Sequence, residues 1–399
     1  MILVDEKLVL FFTFKIPVSS SLGLFDFSLE KPYIYKLNTA IEESTYIILK
    51  MGTNVLRAEK QSDIEAKENE KFLFRVKKEE NFDYLLENPS VFNYSEYNTE
   101  SLNNKLWYTI NSDNLEPNEN SKKNMFINED YYLSENDIMK FGNIKYIVKQ
   151  IKLNIDNEIK EKKDINIDFY PSFHTYYFTE SKDEKDRIIK CEICKGSICN
   201  EDNPIIKFCS CNYLHYECLK KNIESNMYNI NNDKVENYYF TNLKCKTCDF
   251  IFPLRFKLSE KKYELIKIDT PVNGDYIILE SIEKKIFYGY TKLIHVIKLE
   301  TEQIKIGRNK NKNDMIICDP SVSKEHALLI YKNEKILIKN LSKKFGTSVF
   351  VKNAINIEDK LIQIQTGKIM FETKKMKYKE FNEFKKKKKT KFPLPYKYY

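Results

Sequence analysis

Residues 304–351 read IKIGRNKNKNDMIICDPSVSKEHALLIYKNEKILIKNLSKKFGTSVFV. The apolar residues fall in short runs bounded by polar or turn residues, a pattern of strands rather than helices. Gln303–Ile306, Ala327–Tyr331 and Lys335–Lys339 are such runs, and Tyr276–Glu280 and Lys292–Leu299 precede them. Between them stand Gly307-Arg308, Ser323-x2-His326, Asn340 and Gly346-Thr347. The arginine departs from its background. Only five of the 66 basic side chains are Arg (Arg57, Arg75, Arg187, Arg255, Arg308), and the rest are Lys. A planar fork of donors on a loop suits a phosphate dianion.

Strand-like runs continue outward. Leu8–Ile16 (LVLFFTFKI) is continuously apolar, while Tyr46–Lys50, Lys71–Val76 and Ile144–Val148 are shorter and mixed. Asn111–Asn124 is a polar loop, and Leu153–Asp168 and Thr179–Lys185 are charge-rich connectors. With 399 residues the chain is long enough for several cores. The fold expected is mainly β and multidomain. It has a β-rich module over 1–152, a charged linker over 153–187, a Cys/His finger over 188–256, a β-sandwich over 272–375 and a disordered basic tail over 376–399.

Charge narrows the partners. The formal net charge is +8, but residues 374–399 hold eleven Lys and two Glu, so the body before them is near −1. A globally basic nucleic-acid binder is not supported. Lys385–Lys389 with Lys391 resembles a nuclear-import signal, and contact with nucleic acid or anionic lipid is expected at most through this tail. An apolar fraction of 42% rules out a wholly disordered chain. No run reaches the ~18–20 uncharged apolar residues of a membrane helix. Asp5 and Glu6 stand where a secretory signal needs basic residues, so a soluble cytoplasmic or nuclear protein is expected.

Eight of nine Cys fall between 191 and 248, and seven of them with one His form Cys191-x2-Cys194, Cys209-x-Cys211, His215-x2-Cys218 and Cys245-x2-Cys248. Four soft donors make a zinc tetrahedron, and eight in four pairs serve two Zn2+ ions. The alternative, a disulfide set, needs an oxidising compartment. The order Cys-Cys-Cys-Cys-His-Cys-Cys-Cys resembles RING-CH and PHD fingers. RING-CH is favoured by the one-residue gap at Cys209–Cys211, by a helix start at HYECLKKNI, and by Leu243 where PHD fingers carry Trp. That resemblance implies a cross-brace, with Cys191, Cys194, His215 and Cys218 on one ion and Cys209, Cys211, Cys245 and Cys248 on the other. It also implies a ubiquitin-conjugating enzyme as partner, contacted by Ile193. Asp249 follows the last ligand, where many active fingers of this kind place a cation. Residues 219–244 are Asn-rich and read as an insertion loop, and Cys199 and Cys318 lie outside the pattern.

The Gly307-Arg308, Ser323-x2-His326, Asn340 and Gly346-Thr347 elements resemble the forkhead-associated (FHA) domain, over roughly 272–375. The resemblance implies a β-sandwich that binds phosphothreonine-containing proteins. Arg308 and Ser323 would contact the phosphate, Lys324 would add charge, and Asn340 would take part in peptide binding. Gly307, His326, Gly346 and Thr347 would be structural. Phe345 stands where the family often holds the peptide backbone with Asn. Tyr131–Ile151 is similar to the closing strands of such a sandwich, without a Gly-Arg pair. A RING-CH finger beside an FHA domain resembles proteins of single-celled eukaryotes such as ciliates and apicomplexans. It implies a ubiquitin ligase or ligase subunit, or a non-enzymatic phospho-dependent adaptor. No nucleophile, Gly-rich phosphate loop or carboxylate pair points to another enzyme class.

Overall fold

A computed structural model describes residues 8–15, 38–41, 45–50, 54–58, 70–79, 84–88, 102, 105–110, 131–153, 170–171, 174–176, 189–258, 261–272, 274–282, 289–352, 354–357, 362–367 and 369–377. Most of the linker, the loop at 111–124 and the Lys-rich tail beyond 377 lie outside them. Strands dominate, as the periodicity predicts. The runs around the Gly-Arg pair become Gln303–Gly307, Ala327–Lys332 and Lys335–Asn340, and Leu8–Lys15 is a strand. In Gln303–Gly307 the alternation is the cause: Ile304 and Ile306 are buried while Gln303 and Lys305 face solvent.

Two compact units share the chain, and neither follows chain order. The first comprises Met1–Tyr131, Lys140–Asn143 and Lys339–Tyr399. In it Leu8–Lys15 pairs antiparallel with Asn38–Ile41 on one side and with Ile369–Lys377 on the other. A second sheet runs Ile355–Ile357, Tyr84–Glu87, Glu70–Lys78, Thr45–Lys50, Asn54–Ala58. Phe74 and Phe371 meet edge to face at 4.9 Å in its core. Strands from both ends of the chain therefore pair in one sheet.

The second unit comprises Tyr132–Met139 and Ile144–Ile338. One of its sheets runs Met227–Asn229, Val235–Phe240, Lys292–Lys298, Tyr276–Ser281, Ile144–Lys152, antiparallel throughout. Another runs Met315–Ile316, Gln303–Gly307, Ala327–Lys332, Lys335–Asn340, with the first pair parallel. The strand Ile144–Lys152 precedes the Cys/His window, yet it pairs with Tyr276–Ser281 beyond it, from Tyr146 opposite Ser281 to Lys152 opposite Tyr276.

The insertion after Leu219 is not a loop. It holds the end of the helix Tyr216–Glu224 and then a hairpin, Met227–Asn229 with Val235–Phe240, whose second strand lies on Lys292–Lys298 over six positions. The run Tyr238-Tyr239-Phe240 explains this, since the three rings are buried while Asn231 and Asn232 occupy the turn. One apolar cluster then joins Leu219 and Ile223 of the helix, Tyr238 and Phe240 of the hairpin, and Ile278, Ile294 and Val296 of the sheet. Finger and sandwich share a core.

Near that core Glu280 contacts the ammonium groups of Lys292 and, at 3.8 Å, Lys149. Burial alone would raise the Glu280 carboxyl, but Lys292 and then Lys149 outweigh it and hold it below its ordinary value. A carboxyl lowered on folding stabilises the fold above its unfolded pKa, about 4.3, and loses that contribution as pH falls through the folded value. Denaturant unfolding of Glu280→Gln should therefore show a shallower loss of stability below about pH 4.3 than wild type. Equal slopes would remove this role.

Candidate functional sites

Two groups of four donors come together. Cys191, Cys194, His215 and Cys218 form one, and Cys209, Cys211, Cys245 and Cys248 the other, with donor atoms in each group within 4.8 Å of one another. This is the grouping a cross-brace implies: first pair with third, second with fourth. None of the nine cysteines is joined in a disulfide.

Two similar knuckles build the groups. In the first, Cys191 N donates to Gly196 O at 2.8 Å and Lys195 N to Cys191 O at 2.8 Å. In the second, Cys245 N donates to Phe250 O at 2.8 Å and Asp249 N to Cys245 O at 3.0 Å. The residue after each Cys-x2-Cys is left-handed, Lys195 at φ 60° and Asp249 at φ 58°. Asp tolerates that conformation better than most residues with a Cβ. The Asp249 carboxylate pairs with Lys244 at 2.5 Å. Asp249 thus has a local structural reason for its place after the last ligand.

The imidazole of His215 is oriented by its second nitrogen. Nε2 lies 2.9 Å from Ile198 O, and a carbonyl can only accept, so Nε2 carries the proton. Nδ1 then turns its lone pair toward the sulfurs of Cys194 at 3.2 Å and Cys218 at 3.8 Å. Titration behaviour points the same way. Burial, then the thiols of Cys194 and Cys191, pushes Cys218 up to about 12. Cys211 rises to about 12, chiefly beside Cys248. Burial would also raise Cys245, yet the N–H groups of Cys248 and Thr247 and the neighbouring thiols bring it down to about 7. Three or four thiols cannot all ionise at this spacing without a cation among them. Sulfur and imidazole donors with no carboxylate favour a soft divalent ion over calcium or magnesium, and two groups that can hold metal ions fit zinc. Cys199 stays outside, buried with Ile189 and Ile205. Ile193, on the first knuckle, is 44% exposed.

The second site gathers where Gln303–Gly307 ends. A Cβ on Gly307 would lie 2.6 Å from Lys324 O and 2.7 Å from Asn313 Oδ1, so glycine is required by space. That approach lets two loops bond directly, Arg308 N to Ser323 O at 2.9 Å and Asn309 N to Lys324 O at 3.2 Å. Asn313 ties them again, its Nδ2 donating to Lys324 O at 2.6 Å and Asn309 O at 2.7 Å. Sequence reading did not single out Asn313, because one Asn carries no signal in an Asn-rich chain. His326 is fully buried, and its Nδ1 accepts Ser323 N at 2.9 Å. Arg308 Nε donates to Val322 O at 3.1 Å, which anchors the base of the guanidinium. Its terminal nitrogens have no partner among the described residues, and the side chain is exposed, on a loop bonded through its backbone to Ser323 and Lys324.

Asn340, Phe345, Gly346 and Thr347 belong to the first unit. Asn340 is buried, with Nδ2 donating to Ser342 O at 3.1 Å and Oδ1 accepting the Thr347 hydroxyl at 3.0 Å and Ser342 N at 3.0 Å. Its amide is spent within the turn, where it acts as a brace. Phe345 is buried as well, and Gly346 takes a left-handed φ of 71°.

Arg308, anchored at Nε, and Ser323 thus stand on adjoining loops at one end of the sheet. Residues 304–369 match the family model of the FHA domain. The matched stretch is divided, with 304–338 in the second unit and 339–369 in the first. No curated protein and no solved structure matches the chain.

Proposed function

We propose that the protein captures phosphothreonine-containing proteins through Arg308, Ser323 and Lys324. Through a zinc finger of RING-CH type it then recruits a ubiquitin-conjugating enzyme, acting as a ubiquitin ligase or ligase subunit. The observation that carries the first half is the exposed guanidinium of Arg308, anchored at Nε and bonded through its backbone to the Ser323 loop. A dianion accepts several charge-assisted bonds there, each worth about 1.5–3 kcal/mol. Arg308→Ala should weaken binding of a phosphothreonine peptide library roughly ten- to one-hundred-fold with the thermal midpoint unchanged. Equal binding by both proteins would remove the assignment.

The exposed Ile193 supports the ligase half. The Asp249–Lys244 pair favours a second reading, a non-enzymatic phospho-dependent adaptor, because an anion occupies the place of a clamping cation. Auto-ubiquitination across a panel of conjugating enzymes separates the two. Transfer with any of them selects the ligase, and silence with all of them beside retained phosphopeptide binding selects the adaptor.

A further inference from the structure

The hairpin over 227–240 joins the two donor groups. It leaves the helix that carries Cys218 and returns to Cys245. Its roots are stapled, with Thr241 N and Oγ1 donating to Asn226 O at 3.2 and 3.0 Å and Asn242 Nδ2 to Asn222 Oδ1 at 2.6 Å. Through its turn and second strand it grips Asp314–Ile316, the segment directly after the 308–313 loop. Tyr239 OH donates to Ile316 O at 3.0 Å, and Asn232 Nδ2 donates to Asp314 O at 2.9 Å. Asn237 Oδ1 accepts Ile316 N at 3.3 Å, while its Nδ2 donates to Ile230 O at 2.7 Å and Asp314 O at 3.4 Å. Lys234 Nζ reaches Gln303 O at 3.3 Å and lies 3.5 Å from Asp314 Oδ2, which in turn accepts Lys305 N at 2.8 Å.

Asn237 is fully buried, and so is the histidine behind it. His295 Nδ1 lies 2.8 Å from Asn237 Oδ1, and its Nε2 accepts Tyr146 OH at 3.1 Å. Burial drives His295 down to about 3, so the ring is neutral and donates only through Nδ1. Strand pairing alone would be served better by a β-branched residue at 237, and a buried amide is tolerated only when its bonds are made. Those bonds go to the loop-bearing segment. The two-residue strand Met315–Ile316 pairs with Ile306–Gly307 on one side, and Asn237 and Tyr239 supply partners for Ile316 N and O. The Gly307–Asn313 loop is therefore set from both flanks, by the Ser323–Lys324 loop and by the finger's hairpin.

We infer that the 227–240 hairpin is a positioning element of the phosphate-binding loop, coupling metal occupancy of the finger to the order of residues 308–313 and hence to phosphothreonine affinity. The inference rests on the phosphate-reading role proposed above for Arg308. Asn237 and Tyr239 act through Asp314–Ile316 and are positioning residues. Coupling of this kind is reciprocal, so phosphopeptide would also raise metal affinity.

The test uses the full chain with no ligand, reading amide hydrogen exchange of residues 308–313 against Ala327–Lys332 of the same sandwich. Treatment with a zinc chelator should speed exchange at 308–313 by about tenfold or more relative to that reference and weaken binding of the phosphothreonine library similarly. Tyr239→Phe and Asn237→Ala, each retaining two zinc per chain, should reproduce the faster loop exchange with metal bound. Should chelation or Asn237→Ala unfold the whole unit, Tyr239→Phe decides, since it removes one hydroxyl. Unchanged exchange at 308–313 in metal-loaded Tyr239→Phe would overturn the inference. Loop order that follows the metal, in a wild type that binds no phosphothreonine peptide, would sink the phosphate reading and leave the positioning role standing.

Discussion

Purified protein should carry about two zinc ions per chain, and stripping them should unfold the finger. Each group presents four donors within 4.8 Å, with His215 already turned so that Nδ1 faces its neighbours. Apparent binding free energies of structural zinc in finger peptides run to about 10–16 kcal/mol at neutral pH, more than the total stability of most domains. The loss should not stay in the knuckles. Leu219 and Ile223 share one apolar cluster with Ile278, Ile294 and Val296, so a loosened helix exposes the sandwich core. Cys245→Ser should reduce the metal content by about one equivalent and lower the thermal midpoint by many degrees. A preparation with no bound metal and an unchanged midpoint would sink the finger.

Gly307→Ala should abolish phosphopeptide binding although Arg308 is untouched. The new methyl would meet Lys324 O at 2.6 Å and the Asn313 amide at 2.7 and 2.9 Å. Neither neighbour yields easily. Lys324 O is backbone that already accepts Asn309 N and Asn313 Nδ2, and Asn313 is buried. The two loops must part, which breaks the bonds that set Arg308 beside Ser323. Overpacking of this kind costs about 1–3 kcal/mol, or roughly 2–12 °C in a unit of this size. Calorimetry should find a folded protein of lowered midpoint, and peptide titration should find no binding. Affinity within about twofold of wild type would show that the close approach is not needed.

Both candidate sites are legible in the sequence because their signals are local chemistry. A two-residue gap brings two sulfurs onto one knuckle, and a Gly-Arg pair at a strand end needs only its own loop. The residues that support these sites were not legible. Asn313, Asn237 and Asn232 are three among many Asn, and only partners distant in sequence make them special: Lys324 for the first, Asp314 for the others. Asn340, expected from its position to take part in peptide binding, bonds within its own turn to Thr347 and Ser342.

From the sequence alone came the mainly β class, the eight metal-group residues and the FHA elements, since each depends on periodicity or on spacing within a few residues. Only the tertiary structure decided which strands pair. Ile144–Lys152 meets Tyr276–Ser281 across the whole Cys/His window, Leu8–Lys15 meets Ile369–Lys377 from the opposite end of the chain, and the Asn-rich insertion becomes a hairpin on Lys292–Lys298. A strand's alternation says which face is buried, but its edges hydrogen-bond to whichever backbone arrives beside them. That choice is made by the packing of the whole chain.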